Sequence, residues 1–512
     1  MTGSPQPAGF SLVDEAWIPV LDVAGRRQDV SLSDLFARTG ELRMIACELP
    51  TQTFAILRLA LAVLHRVTGG PPGSAAWLEL WQRRALPVDD IADYLGEFRG
   101  RFDLLHPEQP FYQVADLHAA VESLGHGIPA LTPAEAARWL VHRQAYDPSG
   151  IRTGKGRPMG VASVGALGGV HLEGDNLRET MLLNLVPVAP GWQIADERDL
   201  PVWERPPQSA AEEPDATRGP FGLLSLYTWQ SRRIRLVGDR DGVTGAMISD
   251  GDALDWQDRH QLEPMSLWSR SAPREKAQKR TPVYLPRPHD HTRALWRGLR
   301  TLLPPPPPSN EPPQRLAPLV SRWLARLTVT GALPPDLRVR HHATSVSHDA
   351  RQAAVDEVFG DSLTMNVLLV VEGSALRTTA VDAAADTEAA VTELRRLATN
   401  LARAAGGDPD RAAGESAYTL LDRAFRDWLA ALGPESDPLA ERTAWQRRVR
   451  RAVARIGSQL VDAAGPAARA GRSVTGRAGT PVHYSSYQAE AWFRSRLAKA
   501  LPLADGETTT GR

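Results

Sequence analysis

Hydrophobic and polar positions along the first two thirds of the chain predict a mixture of helices and strands. An almost uninterrupted apolar run over residues 51–67, TQTFAILRLALAVLHRV, predicts a helix that is buried on all sides. Ser31 and Thr132 each precede a segment of helical periodicity, as N-cap residues do, and Glu135 completes a capping-box pattern with Thr132. Residues 10–20, FSLVDEAWIPV, predict a strand or an extended arm.

From about residue 376 the pattern changes to alanine-rich segments with apolar residues at helical spacing. Leu394, Leu397 and Leu401, for example, fall on one face of a helix. Short connections rich in Gly and Pro separate four such segments, which span 376–405, 413–432, 437–464 and 484–501. Four helices joined by connections of this length favour an antiparallel four-helix bundle.

These patterns predict an α+β protein with two domains. We expect a large mixed α/β domain over residues 1–370, with a Pro-rich surface insertion near 304–313, and a four-helix bundle over 371–512. The chain has 512 residues and 42% hydrophobic residues, which is enough for a sizeable core in each domain.

Charge and cysteine content restrict the classes of function. The 59 Lys and Arg residues nearly balance the 60 Asp and Glu residues, so a nucleic-acid surface would have to be a local patch. The single cysteine, Cys47, excludes an intrachain disulfide and a cysteine-based zinc site. The sequence shows neither an apolar run of membrane-spanning length nor a signal-peptide pattern at its start, so we expect a cytoplasmic protein with no membrane contact.

The segment richest in candidate chemistry runs from Gly150 to Glu179, where seven of the first twenty residues are glycine. Glycine allows a backbone to approach a partner closely. Three cations, Arg152, Lys155 and Arg157, are interleaved with the glycines and indicate a phosphate backbone as the partner. The pattern predicts a loop that contacts a nucleic acid and does not fill a core; the alternative is a flexible surface loop.

Three further basic clusters agree with a nucleic-acid partner. The first contains the pair His341-His342, which predicts a solvated surface or a phosphate contact. The clusters are Arg338, Arg340, His341, His342, His348 and Arg351; Arg447, Arg448, Arg450, Arg451 and Arg455; and Arg274, Lys276, Lys279 and Arg280. For each cluster the alternative is a solvated face.

Catalytic motifs have little support in the sequence. Gly150 to Lys155 has fewer residues between its glycines than a phosphate-binding loop requires. The run His289-Asp290-His291 fits either a metal-dependent nuclease or a polar turn before a helix at Thr292, and no third ligand follows at a characteristic spacing. We therefore expect no enzyme, no metal and no cofactor.

The order of motifs resembles the large subunit (the CasA family) of the type I-E CRISPR surveillance complex, Cascade. The resemblance rests on LVDEAWIPV at 12–20, HPEQPF at 106–111, GDNLRETMLLN at 174–184 and TPVYLP at 281–286, together with the C-terminal bundle. It implies a non-catalytic subunit that recognises the protospacer-adjacent motif (PAM) of double-stranded target DNA and starts duplex unwinding in antiviral defence. The implied partners are the guide RNA, the other Cascade subunits, the target DNA and a recruited helicase–nuclease.

The resemblance also implies site residues. The PAM-reading glycine loop of the family corresponds to Gly154, Lys155, Gly156 and Gly160. The glutamine wedge of the family, which splits the duplex and precedes a short helix, corresponds to Arg351, Gln352 and Ala353, with the short helix expected over 354–357.

Other features of the family are matched less directly. Further nucleic-acid contacts are expected at Arg152, Arg157, Lys276, Lys279, Arg447, Arg448 and Arg451. The lysine finger of the family has no clear counterpart. Two alternatives stay open for the whole chain, a purely structural RNA and protein scaffold subunit and a metal-dependent nuclease, and Gln352 alone fits an exposed residue at a helix start.

Overall fold

The computed structural model describes residues 9–123, 129–149, 160–189, 196–212, 219–304, 311–352, 354–409, 412–475 and 481–505. The chain divides into two compact units. The first unit comprises the residues up to 292 together with 301–334 and 339–362, and the second comprises 293–300, 335–338 and the residues from 363 onward. Most of the expected Pro-rich insertion, residues 305–310, lies outside the described residues.

The strands of the described residues are short, apart from two long pairs. They are β1 Ile18–Asp22, β2 Arg27–Val30, β3 Leu42–Ile45, β4 Val121–Ser123, β5 Gly169–Glu173, β6 Arg232–Asp239, β7 Gly242–Asp250, β8 Trp268–Arg270, β9 Tyr284–Pro286, β10 Arg315–Leu316, β11 Arg338–His348, β12 Val355–Asn366, β13 Arg472–Thr475 and β14 Pro481–Tyr484. The longest pairs are β6 with β7 and β11 with β12.

The helices range from single turns to more than eight turns. They are α1 Leu32–Ala37, α2 Pro50–Thr68, α3 Ser74–Gln82, α4 Val88–Glu97, α5 Pro133–Tyr146, α6 Leu177–Leu183, α7 Leu223–Tyr227, α8 Ala272–Gln278, α9 Leu299–Leu302, α10 Leu319–Val329, α11 Ala375–Ala405, α12 Ala412–Ala431, α13 Pro438–Ala463, α14 Pro466–Ala470 and α15 Ser486–Ala500. None of the helices in the described residues is both long and apolar enough to cross a membrane.

The strands from β1 to β12 form small three-stranded sheets. Their strand orders are β2-β1-β3, β4-β7-β6, β10-β8-β9 and β12-β11-β5. In the last sheet β11 runs antiparallel to β5, with Arg340 opposite Glu173 and His342 opposite His171. This sheet holds the β11–β12 hairpin, which carries the residues expected to form the wedge.

Local sequence signals correctly predict several helices of the first unit. Helix α2 is buried along almost its whole length, as its apolar run predicts. Ser31 caps α1 by accepting a hydrogen bond from the Asp34 amide, and Thr132 and Glu135 form a complete capping box at the start of α5. Because each cap satisfies amides that have no partner within the helix, these starts are fixed by a few local residues.

The second unit contains the predicted helical bundle. Helix α11 packs against α12, α13 and α15, and α13 also packs against α12 and α15. Leu394, Leu397 and Leu401 are all buried on α11, as their spacing predicts. Burying one leucine side chain stabilises a fold by roughly 1.5–3 kcal/mol, so this stripe is a main contribution to the core of the bundle. The α+β fold class is confirmed.

Two local predictions are wrong. The segment 169–173 is the fully buried strand β5, although the run from Gly150 to Glu179 predicts a loop that does not fill a core. A Cβ atom at Gly168 would lie 2.2 Å from the Arg287 carbonyl oxygen, and one at Gly169 would lie 2.9 Å from the Phe54 ring, so these glycines permit close packing inside the protein. The expected helix over 354–357 is also absent, because β12 starts at Val355 and pairs with β11.

Candidate nucleic-acid interface

Gln352 lies at the exposed tip of the β11–β12 hairpin. Its amide donates to the carbonyl oxygen of Asp349 over 2.8 Å and closes a four-residue turn. Gln352 has a φ of +57°, in the left-handed region. A residue other than glycine held in this region costs about 1 kcal/mol or more. The tip therefore presents the Arg351 and Gln352 side chains to solvent in a strained but well-defined turn.

Ser149, the last described residue before the glycine-rich segment, binds this tip. Its amide and its Oγ each donate to the carbonyl oxygen of Gln352 over 2.7 Å, and the Oγ also lies 3.2 Å from the Arg351 carbonyl oxygen. Ser149 itself is buried. The residue that precedes the glycine-rich segment is thus in direct contact with the predicted wedge residue, 203 residues away in the sequence.

Arg232 links the residues just before the glycine-rich segment to Gly160, which lies within that segment. Its Nε donates to Asp147 Oδ2 over 2.7 Å, and one terminal nitrogen donates to the carbonyl oxygens of Pro148 (3.0 Å) and Gly160 (2.9 Å). The side chains of Arg232 and Asp147 are 1% and 0% exposed. A buried ion pair with this many hydrogen bonds holds its surroundings in one arrangement, because breaking it would leave a charge unpaired in the interior.

Gly160 differs from the glycines of β5 in its surroundings. A Cβ atom at Gly160 would meet no atom of the described residues within 4 Å. Packing among those residues therefore gives no reason for glycine at this position. Close approach of a binding partner would be a reason for glycine here.

Several of the expected site residues cannot be placed. Arg152, Gly154, Lys155, Gly156, Arg157 and Ala353 lie outside the described residues. The structure places Ser149 and Gly160, on either side of these residues in the sequence. Ser149 contacts the hairpin tip at Arg351 and Gln352.

The cluster around α8 is exposed and positively charged. Arg274, Lys276 and Lys279 are exposed and have no ion-pair partner among the described residues. The hydrogen bond from Arg270 lowers the pKa of Glu275 to about 2, so this carboxylate is committed to Arg270 and does not neutralise the lysines. The charge of the cluster suits phosphate, and its role as a nucleic-acid contact stays a prediction.

The arginine stripe on α13 belongs to the second unit. Arg448, Arg451 and Arg455 are exposed, whereas Arg447 and Arg450 are half-buried and engaged by other groups. The exposed members are spaced three and four residues apart, which places them on one face of the helix.

The prediction for His341 and His342 is wrong. His341 is buried, and burial lowers its pKa to about 4. The His342 ring stacks on His171 with centroids 4.7 Å apart, and its Nε2 lies 2.7 Å from Glu173 Oε2. Burial would raise the pKa of Glu173, but His342, Arg340 and Arg43 outweigh it and lower that pKa. These groups form a network around the buried Glu173 carboxylate, with Arg340 and Arg43 at its partly exposed edge.

The His289-Asp290-His291 run has the local contacts of a polar turn. Asp290 Oδ1 accepts from the amide and the Oγ1 of Thr292, as a turn-capping residue does. His289 Nε2 lies 3.0 Å from the Gly169 carbonyl oxygen, and burial lowers the pKa of His289 to about 4. His291 Nε2 lies 3.2 Å from Ser345 Oγ. Within the described ranges, no group of three or more His, Cys, Asp or Glu side chains could hold a metal ion.

Comparison with known proteins identifies the family. The model of the family described as CRISPR-associated protein Cse1 matches residues 11–456. The chain belongs to the Cse1 family. The CRISPR-associated protein CasA/Cse1 of Thermus thermophilus is 37% identical over 262 residues, which are 46% of this chain and 50% of that relative, so the match spans half of the relative's length.

Solved structures extend the likeness to nearly the whole chain. The crystal structure of Thermobifida fusca Cse1 superposes with a TM-score of 0.88 at 41% identity and covers 97% of this chain and 99% of that chain. A chain from a structure of a CRISPR RNA-guided surveillance complex superposes with a TM-score of 0.65 at 20% identity, covering 89% of this chain and 100% of that chain. The second likeness shows a shared fold. The resemblance to the CasA family noted in the sequence is thereby confirmed.

Sequence reasoning missed the residues that position the site. Ser149 and Arg232 carry no recognisable motif, and the partners described above lie 72 to 203 residues away in the chain. Arg232 is the first residue of β6, five residues after helix α7 ends, and it is buried. One weak signal for the burial of Arg232 was available. Arg232 lies two residues before the apolar Ile234 on a strand, so the two side chains are on the same face.

Proposed function

We propose that this Cse1-family chain is the non-catalytic large subunit of a type I-E CRISPR surveillance complex and reads the PAM of double-stranded target DNA. Residues 1–370 would form the recognition domain and residues 371–512 the bundle. The observation that carries the proposal is the contact between Ser149 and the Gln352 tip, which joins the glycine-rich segment to an exposed glutamine. The partners would be guide RNA, the other subunits, target DNA and a recruited helicase–nuclease, with no cofactor and no metal.

PAM reading is assigned to the glycine-rich segment that begins after Ser149. The minor groove is narrow, so a backbone with little side chain suits it better than bulky residues do. The open surroundings of Gly160 support this assignment. Gly154 and Gly156, with the nearby Lys155, Arg152 and Arg157, would complete the contact with bases and phosphates.

Duplex opening is assigned to Gln352, flanked by Arg351 and Ala353. Inserting a side chain between base pairs costs a few kcal/mol of unstacking, which pairing of the target strand with the guide can offset. The strained turn and its hydrogen bonds to Ser149 support this assignment, because a wedge must not yield when it meets the stacked bases. The rigid tip transmits the opening force to the β11–β12 hairpin.

Phosphate contacts would hold the duplex in register. Lys276 and Lys279 on α8 supply exposed positive charge in the first unit, and Arg448 and Arg451 supply it on α13 in the second, beside the half-buried Arg447. Such contacts contribute affinity without reading sequence. Specificity would then come from the PAM contact and from guide–target pairing.

The proposal is tested by binding of target duplex to guide-loaded complex with and without this chain, across a library of PAM sequences at fixed salt. Tight, PAM-dependent binding that requires the chain is the expected result. Binding that is unchanged, or that rises equally for every PAM, would instead indicate a scaffold or a nonspecific phosphate clamp. Magnesium- or manganese-dependent cutting by the isolated chain, lost in His289→Ala, would indicate the nuclease.

A further inference from the structure

The second unit contains a cavity of about 450 Å³ lined by side chains from α11, β14 and α15. Pockets of this volume hold small organic ligands in many proteins. The groups that decide its chemistry are Arg396, Asn400, Arg403, Tyr484, Trp492 and Arg496. None of these residues belongs to the elements assigned to PAM recognition.

The pocket presents two aromatic rings. The rings of Tyr484 and Trp492 meet edge to face, with centroids 5.7 Å apart and an interplanar angle of 81°. Both residues are half-buried, so each ring is supported by the protein on part of its surface and accessible on the rest. Partly accessible aromatic faces of this kind stack well on planar ligands.

Positive charge surrounds the rings. Arg403 and Arg496 are exposed and have no carboxylate partner among the described residues, whereas Arg396 pairs with Glu393. The Arg403 guanidinium lies 5.6 Å from the centroid of the Tyr484 ring. The ligand should therefore carry negative charge next to a flat apolar group, because guanidinium groups bind phosphate oxygens well.

Asn400 gives an independent indication of a ligand. Its side chain lines the cavity, is 8% exposed, and has no hydrogen-bond partner among the described residues. A polar side chain that lines a pocket and has no protein partner is available to hydrogen-bond a ligand there. An amide can both donate and accept, which suits the polar edge of a nucleobase.

We propose that this pocket binds one nucleotide of a single-stranded polynucleotide. The base would stack on Trp492 and meet the Tyr484 ring edge to face, with its polar edge at Asn400. The adjoining phosphates would lie against Arg403 and Arg496. The inference does not rest on the proposed PAM-reading function, because its residues belong to the second unit. It adds a single-strand site to the proposed double-strand site.

The test measures binding of fluorescein-labelled oligomers of about 12 nucleotides to the full chain by fluorescence anisotropy at fixed low salt. A thymidine oligomer, a uridine oligomer and an abasic oligomer of the same length and charge are compared. The tighter of the first two shows whether the pocket prefers this DNA strand or this RNA strand. The pocket variants are Trp492→Leu and Arg403→Gln, and the matched controls are Tyr487→Leu and Arg494→Gln, at exposed positions of α15 outside the pocket.

Each variant has a distinct expected result. Trp492→Leu should weaken binding of the base-containing oligomer about tenfold and leave abasic binding unchanged, since stacking is lost and charge is retained. Arg403→Gln should weaken binding of both oligomers, and both control variants should stay close to wild type. Because Arg403 is exposed, its variant keeps the test informative even if Trp492→Leu unfolds, which circular dichroism would reveal.

Three results would overturn the inference. The first is equal binding of abasic and base-containing oligomers to the wild-type chain. The second is an equal loss of affinity in the control and the pocket variants. The third is displacement of the oligomer by thymidine monophosphate at an equal concentration of nucleotide units, which would assign the pocket to a free nucleotide.

Discussion

The Oγ of Ser149 donates a hydrogen bond to the carbonyl oxygen of Gln352 over 2.7 Å. Ser149 ends the described chain before the glycine-rich segment, and Gln352 sits at the tip of a hairpin contributed by a distant part of the sequence. We therefore expect groove reading and duplex opening to be coupled, because this hydrogen bond joins the start of the one element to the tip of the other.

Ser149→Ala tests this coupling. The substitution removes the hydrogen bond that the Oγ donates to the tip and keeps the bond from the amide, so we expect the free energy of unfolding to fall by about 1 kcal/mol. PAM-dependent affinity of the assembled complex should fall several-fold, while affinity for duplex without a PAM stays unchanged. Filter binding at fixed salt gives both affinities. Ser416→Ala, which removes a hydroxyl from an exposed position on α12, is the control, and an equal loss in both variants would contradict the coupling.

Gly160→Ala separates packing from recognition. An added methyl group meets no atom of the described residues within 4 Å, so the melting temperature should stay unchanged. PAM-dependent binding should fall about tenfold or more, because the methyl group would stand between the backbone and the groove. Gly40→Ala, at another position with open surroundings, should change neither quantity. If Gly160→Ala binds PAM-containing duplex as tightly as the wild-type chain does, Gly160 is not part of the PAM-reading site.

Arg232→Met tests the ion pair that holds the ends of the glycine-rich segment. Asp147 would be left buried beside a neutral side chain, so we expect the free energy of unfolding to fall by about 3–5 kcal/mol. Adding Asp147→Asn should restore part of this loss. Urea denaturation measures both changes. Arg235→Met, on the same strand but half-exposed, should cost far less, and a similar cost for the two single variants would count against a special role for Arg232.

Buried histidines predict that the fold weakens in mild acid. Burial lowers the pKa of His65 to about 3 and the pKa values of His142, His289 and His341 to about 4. In the unfolded chain these groups bind protons near pH 6.5, whereas the folded chain keeps them neutral. The contribution of these neutral histidines to the free energy of unfolding is therefore fully present above pH 6.5. It decreases as the pH falls toward 4, by about 1.4 kcal/mol per pH unit for each such group.

Urea unfolding at pH 7.5 and at pH 5.5 checks the acid sensitivity. The midpoint should be lower at pH 5.5, and His65→Leu should reduce the difference, because His65 has no hydrogen-bond partner in the core of the first unit. His118→Leu, at an exposed position, should leave the difference as it is in the wild type. Equal midpoints at the two pH values would contradict the assignment of neutral buried histidines.

Local signals in the sequence account for the elements that were predicted correctly. The capping box of Thr132 and Glu135 and the apolar run of α2 act within a few residues, so they can be read from the chain directly. The helix expected over 354–357 failed because the pairing of β12 with β11 depends on a neighbouring strand. His341 could have been identified as buried, since it alternates with Val339 and Ala343 on one face of β11.

The exposed residue Gln352 of the candidate site could be proposed from the sequence. The buried residues that position the site, Ser149 and Arg232, could not. Gln352 was identified only through family resemblance, because one glutamine on a turn has no distinctive pattern. Ser149 binds carbonyl oxygens of the hairpin tip, and Arg232 binds two carbonyl oxygens in addition to the Asp147 carboxylate. Any residue can supply a carbonyl oxygen. Their roles depend on backbone positions that distant segments bring together, which the sequence does not display.

The most direct test of the account measures base-pair opening next to the PAM. A duplex with 2-aminopurine at the first pair beyond the PAM is mixed with guide-loaded complex containing the wild-type chain, Gln352→Gly or the exposed control Gln82→Ala. Glycine adopts the left-handed backbone of position 352 without strain, so Gln352→Gly removes only the side chain. We expect PAM-dependent fluorescence to rise with the wild-type chain and the control, and to stay at the level of free duplex with Gln352→Gly although the duplex is still captured. An equal rise with Gln352→Gly would contradict the assignment of Gln352 as the residue that opens the duplex.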